Sequence, residues 1–96
     1  MRFEWDEHIN RQNLAKHGIN FETAMLVFDD PHALSDVDRV LGDEERWQTV
    51  GVIGVLVVFV AHTWWEEDGE DVIRLISARR ATSAERKAYE AHKRSS

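Results

Sequence analysis

The chain contains no cysteine and a single proline. Without cysteine there are neither disulfides nor thiolate metal sites, which fits a reducing cytoplasm. The lone Pro31 marks one place where a helix has to stop. Long apolar runs are missing too: the longest, residues 50–61, is interrupted by Gly51 and Gly54 and is too short to span a bilayer. The opening MRFEWDE has no apolar stretch of the kind a secretory signal needs. Positive charge is in deficit, with 12 Lys/Arg against 18 Asp/Glu and a net charge of -6, which weighs against the chain as a whole being a nucleic-acid binder. The 5 histidines, at positions 8, 17, 32, 62 and 92, show no ligand spacing such as HExxH. Asp36-x-Asp38 is too common a pair to count. No metal site and no cofactor are expected.

What is present is a globular composition, 43% hydrophobic and 31% charged, in 96 residues. That is enough for one core and too little for two, so a single domain over residues 1–96 is expected. The charge is split along the chain. From Arg74 onward there are seven Lys/Arg and two acids, whereas residues 1–73 hold five basic and sixteen acidic residues. A locally positive strip can therefore attract an anion that the rest of the surface repels, and the acidic remainder suits a basic protein partner.

The elements follow from caps, periodicity and turn residues. A short strand is expected at residues 2–5. Asp6 then caps a helix that runs to about Lys16 and stops at Gly18, a residue suited to the left-handed position after a helix. Asn20 caps a second helix whose Phe21, Ala24, Met25 and Phe28 recur at helical spacing; Asp29-Asp30-Pro31 ends it. Strands are expected at 33–40, 46–50 and 55–61, with turns at 41–43 and 51–54. The segment 63–71 reads as an acidic connection carrying Trp64 and Trp65. A strand from Val72 follows, and in strict alternation its Arg74 and Arg79 fall on opposite faces. Thr82 and Glu85 form a capping box for a last helix over 83–92. Residues 93–96 read as a frayed tail. The expected fold is α+β: an antiparallel meander with two helices before it and one after it, packed on one face of the sheet.

The strand from Val72 delivers Arg74, Arg79 and Arg80 to one region. Guanidinium forks match phosphate oxygens, so a phosphate-handling surface is expected there.

Several segments occur together in order: Phe3-Glu4-Trp5-Asp6; Asn13-Leu14-Ala15-Lys16-His17-Gly18 followed by Phe21; Glu45-Arg46; Arg74-Leu75-Ile76-Ser77-Ala78-Arg79; then Glu85-Arg86 and Tyr89. In this the chain resembles the BrnT family of toxins from bacterial type II toxin–antitoxin systems. The resemblance implies a RelE-like fold and a small ribonuclease that cleaves RNA without a metal and arrests growth. It also implies a BrnA-like antitoxin with a ribbon-helix-helix DNA-binding region. The two would form a hetero-oligomer in the cytoplasm that reaches operator DNA only through the antitoxin. One departure from the family pattern is the acidic, tryptophan-bearing segment 64–71.

Metal-free RNA cleavage needs the 2′-OH to lose a proton, the charge gathering at phosphorus to be stabilised, and the leaving 5′-oxygen to gain a proton. Arg79, at a strand end and within the matching segments, is the first candidate for the phosphate clamp; a surface ion pair to Glu85 is the plainer account. Arg46 and Arg74 are further cationic candidates. Glu45 is a candidate base, although Asp43 and Glu44 beside it suggest an ordinary solvated turn. His62 can hold or release a proton near neutrality, but a histidine at a strand end can equally be a structural one. Lys16 and Arg80 are candidate RNA contacts, and Tyr89 could stack on a base or pack in the core. Trp64 and Trp65 are candidate anchors for the antitoxin. The competing account is a non-catalytic module that grips nucleic acid or an acidic partner with the same basic strip.

Overall fold

A computed structural model describes residues 1–95. Its elements are β1 (Arg2–Glu4), α1 (Glu7–His17), α2 (Phe21–Ala24) continued by a 3-10 turn (Met25–Asp29), β2 (Leu34–Leu41), β3 (Glu44–Ile53), β4 (Leu56–Glu67), β5 (Glu70–Arg80) and α3 (Ser83–Ser95). The five strands form one sheet in the order β1-β5-β4-β3-β2. β2 to β5 are the expected antiparallel meander, but β1 pairs with β5 in parallel, so the sheet is mixed.

Local chemistry explains the helix ends. The Asp6 side chain accepts from the His8 and Ile9 N–H groups, and Gly18 closes α1 at φ 75. The Asn20 side chain accepts from Thr23 N–H. Thr82 and Glu85 exchange hydrogen bonds as a capping box, Glu85 N–H to Thr82 Oγ1 at 3.1 Å and Thr82 N–H to Glu85 Oε1 at 2.8 Å. The second helix tightens to a 3-10 turn after Ala24, so its fully buried residues are Phe21, Ala24 and Val27, at a period of three rather than the expected mix of three and four. α3 carries Lys93, Arg94 and Ser95 in regular helix, where a frayed tail is expected from sequence; Ser96 lies outside the described residues.

The helices lie on both faces of the sheet rather than on one. On the first face, Val58 and Val60 of β4 and Ile73, Leu75 and Ala78 of β5 pack against Ile19, Phe21, Ala24 and Val27. On the second face, Val50, Val57 and Phe59 pack against Tyr89 of α3. Gly51 permits the close approach of the 3-10 turn, because a Cβ there would lie 2.9 Å from a Val27 methyl and 3.1 Å from the Val27 carbonyl oxygen. β1 pairs with β5 only as far as Arg74. Further along that edge, Asn13 of α1 takes the place of a strand: its Nδ2 donates to the Ala78 carbonyl at 2.8 Å and its Oδ1 accepts from Ala78 N–H at 3.1 Å. A side-chain amide thus satisfies an edge that would otherwise be left unpaired.

Two hairpins differ from expectation. The β3–β4 turn is at Gly54 and Val55, with β3 running on through Ile53. The 63–71 segment is no connection: β4 continues to Glu67, with Trp64 opposite Ile73 and Trp65 opposite Val72, and the turn falls on Asp68-Gly69. The run of acids masks this, because tryptophans followed by acids and glycine read as a connection although tryptophan itself favours a pleated surface.

Candidate nucleic-acid interface

β5 carries a β-bulge. Ala61 faces Ser77 and His62 faces Leu75, which leaves Ile76 as the extra residue. A bulge reverses the alternation beyond it. Arg74 and Arg79, an odd number of residues apart, therefore share the second face instead of dividing between the two. On that face a row crosses the whole sheet. Arg39 of β2 faces Arg46 of β3, Arg46 faces Thr63 of β4, Thr63 faces Arg74 of β5, and Arg74 faces Glu4 of β1. α3 covers the other end of the face and leaves this row open.

Two pockets meet at Arg46. One, about 200 Å³, is lined by Asp38, Arg39, Leu41, Arg46, Trp47, Gln48, Phe59, Ala61, His62 and Ile76. The other, about 240 Å³, is lined by Asp6, Ile9, Glu44, Arg46, Thr63, Arg74, Leu75 and Ile76. Each arginine of the row has a light tether: Arg39 to Asp38 at 3.2 Å, Arg46 to Glu44 at 3.1 Å and Arg74 to Glu4 at 3.4 Å. Exposed single pairs of this kind hold a side chain weakly.

Arg79 is held differently. Its guanidinium makes two bonds to Glu85, at 2.8 and 3.0 Å, donates to the Arg80 carbonyl at 3.2 Å, and lies 4.0 Å above the centre of the Phe59 ring. The hydrogen bond to Glu85 raises the pKa of Arg79, and the same bond holds the Glu85 carboxyl below its ordinary value. The ion pair weighed against a phosphate role is present, and Glu85 serves it and the helix cap together.

His62 lies on the first face and is wholly buried. Its Nε2 is 2.7 Å from Thr49 Oγ1, which is 2.7 Å from Ser35 Oγ, and its Nδ1 is 3.1 Å from the Thr63 carbonyl oxygen. Phe28 stands edge-on to its ring at 5.1 Å. Burial pushes its pKa down to about 4. By the strand alternation its side chain points to the face opposite the arginine row, although the residue also lines the pocket beside Arg39 and Arg46.

Tyr89 is also buried, and its hydroxyl donates to Asp30 Oδ2 at 2.6 Å. Burial, with that bond, pushes its pKa up to about 12. Asp30 would be raised by burial, but bonds from Tyr89 and from the Val52 and His32 N–H groups leave it lowered. Tyr89 thus ties α3 to the loop before β2, and no face of its ring is open to a base. Glu45 alternates away from Arg46; Glu44 is the carboxylate that meets it. Lys16 and Arg80 are exposed and line neither pocket of the row. Trp64 stacks obliquely on Trp47 at 5.0 Å, and Trp65 is partly exposed, donating to Glu67 at 3.3 Å. The two tryptophans border a larger pocket, about 590 Å³, with Leu41, Glu44, Glu45 and Thr63.

Sequence reasoning brings out Arg46, Arg74 and Arg79 but misses Arg39, Glu44 and Thr63. Thr63 had a usable signal: carrying the alternation of β4 past Ala61 places it beside Ala61 and Phe59. Arg39 had none, because a second bulge, at Asp38, sets its face. Among the described residues no group of three or more His, Asp or Glu is placed to hold a metal ion. No helix among them is long and apolar enough to cross a membrane.

A family model described as a ribonuclease toxin, BrnT, of type II toxin–antitoxin systems matches residues 5–85. No curated protein matches the chain.

Proposed function

The chain belongs to the BrnT family of ribonuclease toxins of type II toxin–antitoxin systems, and on that premise we propose that it is a metal-independent endoribonuclease acting from the open end of the second sheet face. It is a single RelE-like domain of the cytoplasm, and cleavage of RNA halts translation and growth. The observation that carries this is the row Arg39, Arg46, Thr63 and Arg74 on one face, formed by residues far apart in sequence.

The chemistry asked of it is limited. The 2′-oxygen attacks the adjacent phosphorus as its proton leaves, the bond from phosphorus to the 5′-oxygen breaks, and that oxygen takes up a proton. Arg46 and Arg74 stand where they can neutralise the charge that builds on the phosphoryl oxygens; one such donor is typically worth about 100-fold or more in rate. Glu44, beside Arg46 in the pocket, is the proposed base in place of Glu45. Arg79 is given a lesser role, as a fixed positive charge along the path of the strand.

The partner is a BrnA-like antitoxin, whose ribbon-helix-helix region supplies the contact with operator DNA. Its proposed seat is the acidic end of the sheet, at Trp64 and Trp65. That pocket shares Glu44 and Thr63 with the arginine row, so an antitoxin seated there covers the RNA site directly.

Purified protein incubated with RNA in EDTA is expected to cut it, and Arg46→Ala to slow cutting by about 100-fold or more with the fold intact by circular dichroism. Cutting that EDTA abolishes would overturn metal independence. The burial of His62, which removes the most familiar proton carrier, favours a second reading: a module that binds nucleic acid without cutting it. Retarded but intact RNA in the same assay would establish that one.

A further inference from the structure

Among the described residues two buried side-chain polar atoms have no hydrogen-bond partner, Trp47 Nε1 and Thr63 Oγ1. The first belongs to a residue that packs on Trp64 and also lines the pocket beside Arg39 and Arg46. The second lies in the arginine row. Thr63 is 3% exposed, and its two neighbours across the strands are Arg46 and Arg74. A buried hydroxyl without a partner is costly and needs an explanation. A second cost sits beside it, since Arg39 and Arg46 are like charges directly opposed on adjacent strands, each offset only by a single exposed ion pair. One kind of ligand relieves both at once: a group with several anionic oxygens, able to accept from the hydroxyl and from guanidinium forks on either side. The pocket over Thr63 also has apolar walls, Ile9 and Ile76, against which a sugar or base can lie.

We propose that Thr63, with Arg46 and Arg74 flanking it, is the phosphate-binding subsite of this protein: the Thr63 hydroxyl donates to a phosphate oxygen of the RNA strand while the arginines clamp it from both sides. The assignment rests on the ribonuclease reading for the identity of the ligand. It moves the phosphate contact from Arg79, which Glu85 and Phe59 already hold, to residues whose tethers are loose. The two acids that line this pocket, Glu44 and Asp6, have partners in Arg46 and the start of α1, and Glu4 of β1 pairs with Arg74.

The probe is a 2′-O-methyl RNA oligonucleotide, which binds but cannot be cut because its 2′-oxygen carries no proton to lose. Thr63→Val is expected to weaken binding five- to tenfold with no loss of thermal stability, and Thr63→Ser, which keeps the hydroxyl, to bind within twofold of the parent. Arg46→Gln and Arg74→Gln should each lower the slope of binding against salt by about one ion, and Thr63→Val should leave it unchanged. Inorganic phosphate should compete for the parent protein and less well for Thr63→Val. Parent-like binding by Thr63→Val, or binding of neither the probe nor inorganic phosphate by the parent, overturns the subsite. Tight binding of inorganic phosphate without binding of the oligonucleotide overturns RNA as its ligand. The two readings fail separately. Cleavage of natural RNA with no effect of Thr63→Val on probe binding sinks the subsite alone, and Thr63-dependent binding with no cleavage sinks the nuclease alone.

Discussion

His62 and Thr63 are consecutive residues of one strand, both buried, and they sit on opposite faces of the sheet. The histidine has a partner at each ring nitrogen and belongs to a chain through Thr49 to Ser35. The threonine hydroxyl has none. Buried polar groups that are satisfied hold a fold together, and one that is not needs an explanation, which for Thr63 the flanking arginines supply. The contrast reverses the order that residue type alone suggests, in which histidine is the chemist and threonine the filler.

The largest expected effect tests the first half of that contrast. His62→Ala removes a fully buried ring from between Phe28 and Trp64 and takes away one of the two partners of the Thr49 hydroxyl. A cost of about 3 kcal/mol is expected, a large share of the roughly 5–15 kcal/mol that holds a domain of this size. Urea unfolding measures it. Cleavage per folded molecule should stay within about twofold, because in this assignment the ring never meets RNA. A stable but inactive His62→Ala protein would break the comparison.

Acid should reveal the same residue without mutation. His62 has its pKa lowered to about 4 by burial, from an unfolded value of 6.5. The unfolded chain therefore takes up a proton at a pH where the folded chain does not. Stability is unaffected above the unfolded pKa and falls as pH drops from about 6.5 to about 4, by roughly 3 kcal/mol in all. Glu85 and Asp30, whose pKa values are lowered, add their own losses only at lower pH. Unfolding midpoints measured between pH 7.5 and 4.5 should trace this slope, and His62→Gln should flatten it.

Much of the fold is legible in the residues, because helix ends are written locally. Asp6, Asn20, Gly18 and the Thr82–Glu85 box all do what their types suggest. The meander is legible for the same reason, through short turns. What is not legible is set by pairing across the chain. Nothing in Arg2–Glu4 says that it lies parallel to β5, and nothing in Asn10 or Asn13 says that they are buried, the one holding Phe21 N–H and the other Ala78. The site depends on two bulges, at Asp38 and Ile76, that shift the phase of their strands. Reading the same residues in strict alternation parts Arg74 from Arg79 and hides the row. The residue types of the site are therefore visible in sequence, and their convergence is not.

The smallest expected effect sharpens the second half of the contrast, between an arginine held by a bidentate pair and arginines held only by single exposed ones. Glu85→Gln keeps an oxygen for Thr82 N–H, so the helix cap should survive, but it removes the charge that neutralises Arg79. The pair is partly exposed and bidentate, which puts the stability cost at about 1 kcal/mol or less. The freed guanidinium remains over Phe59, and the second face becomes one charge more positive. RNA binding should tighten by about two- to threefold at low salt, and the gain should fade as salt rises, the mark of a screened surface charge. A loss of binding in Glu85→Gln would mean that the fixed geometry of Arg79 matters more than its charge, and would return Arg79 to the centre of the phosphate site.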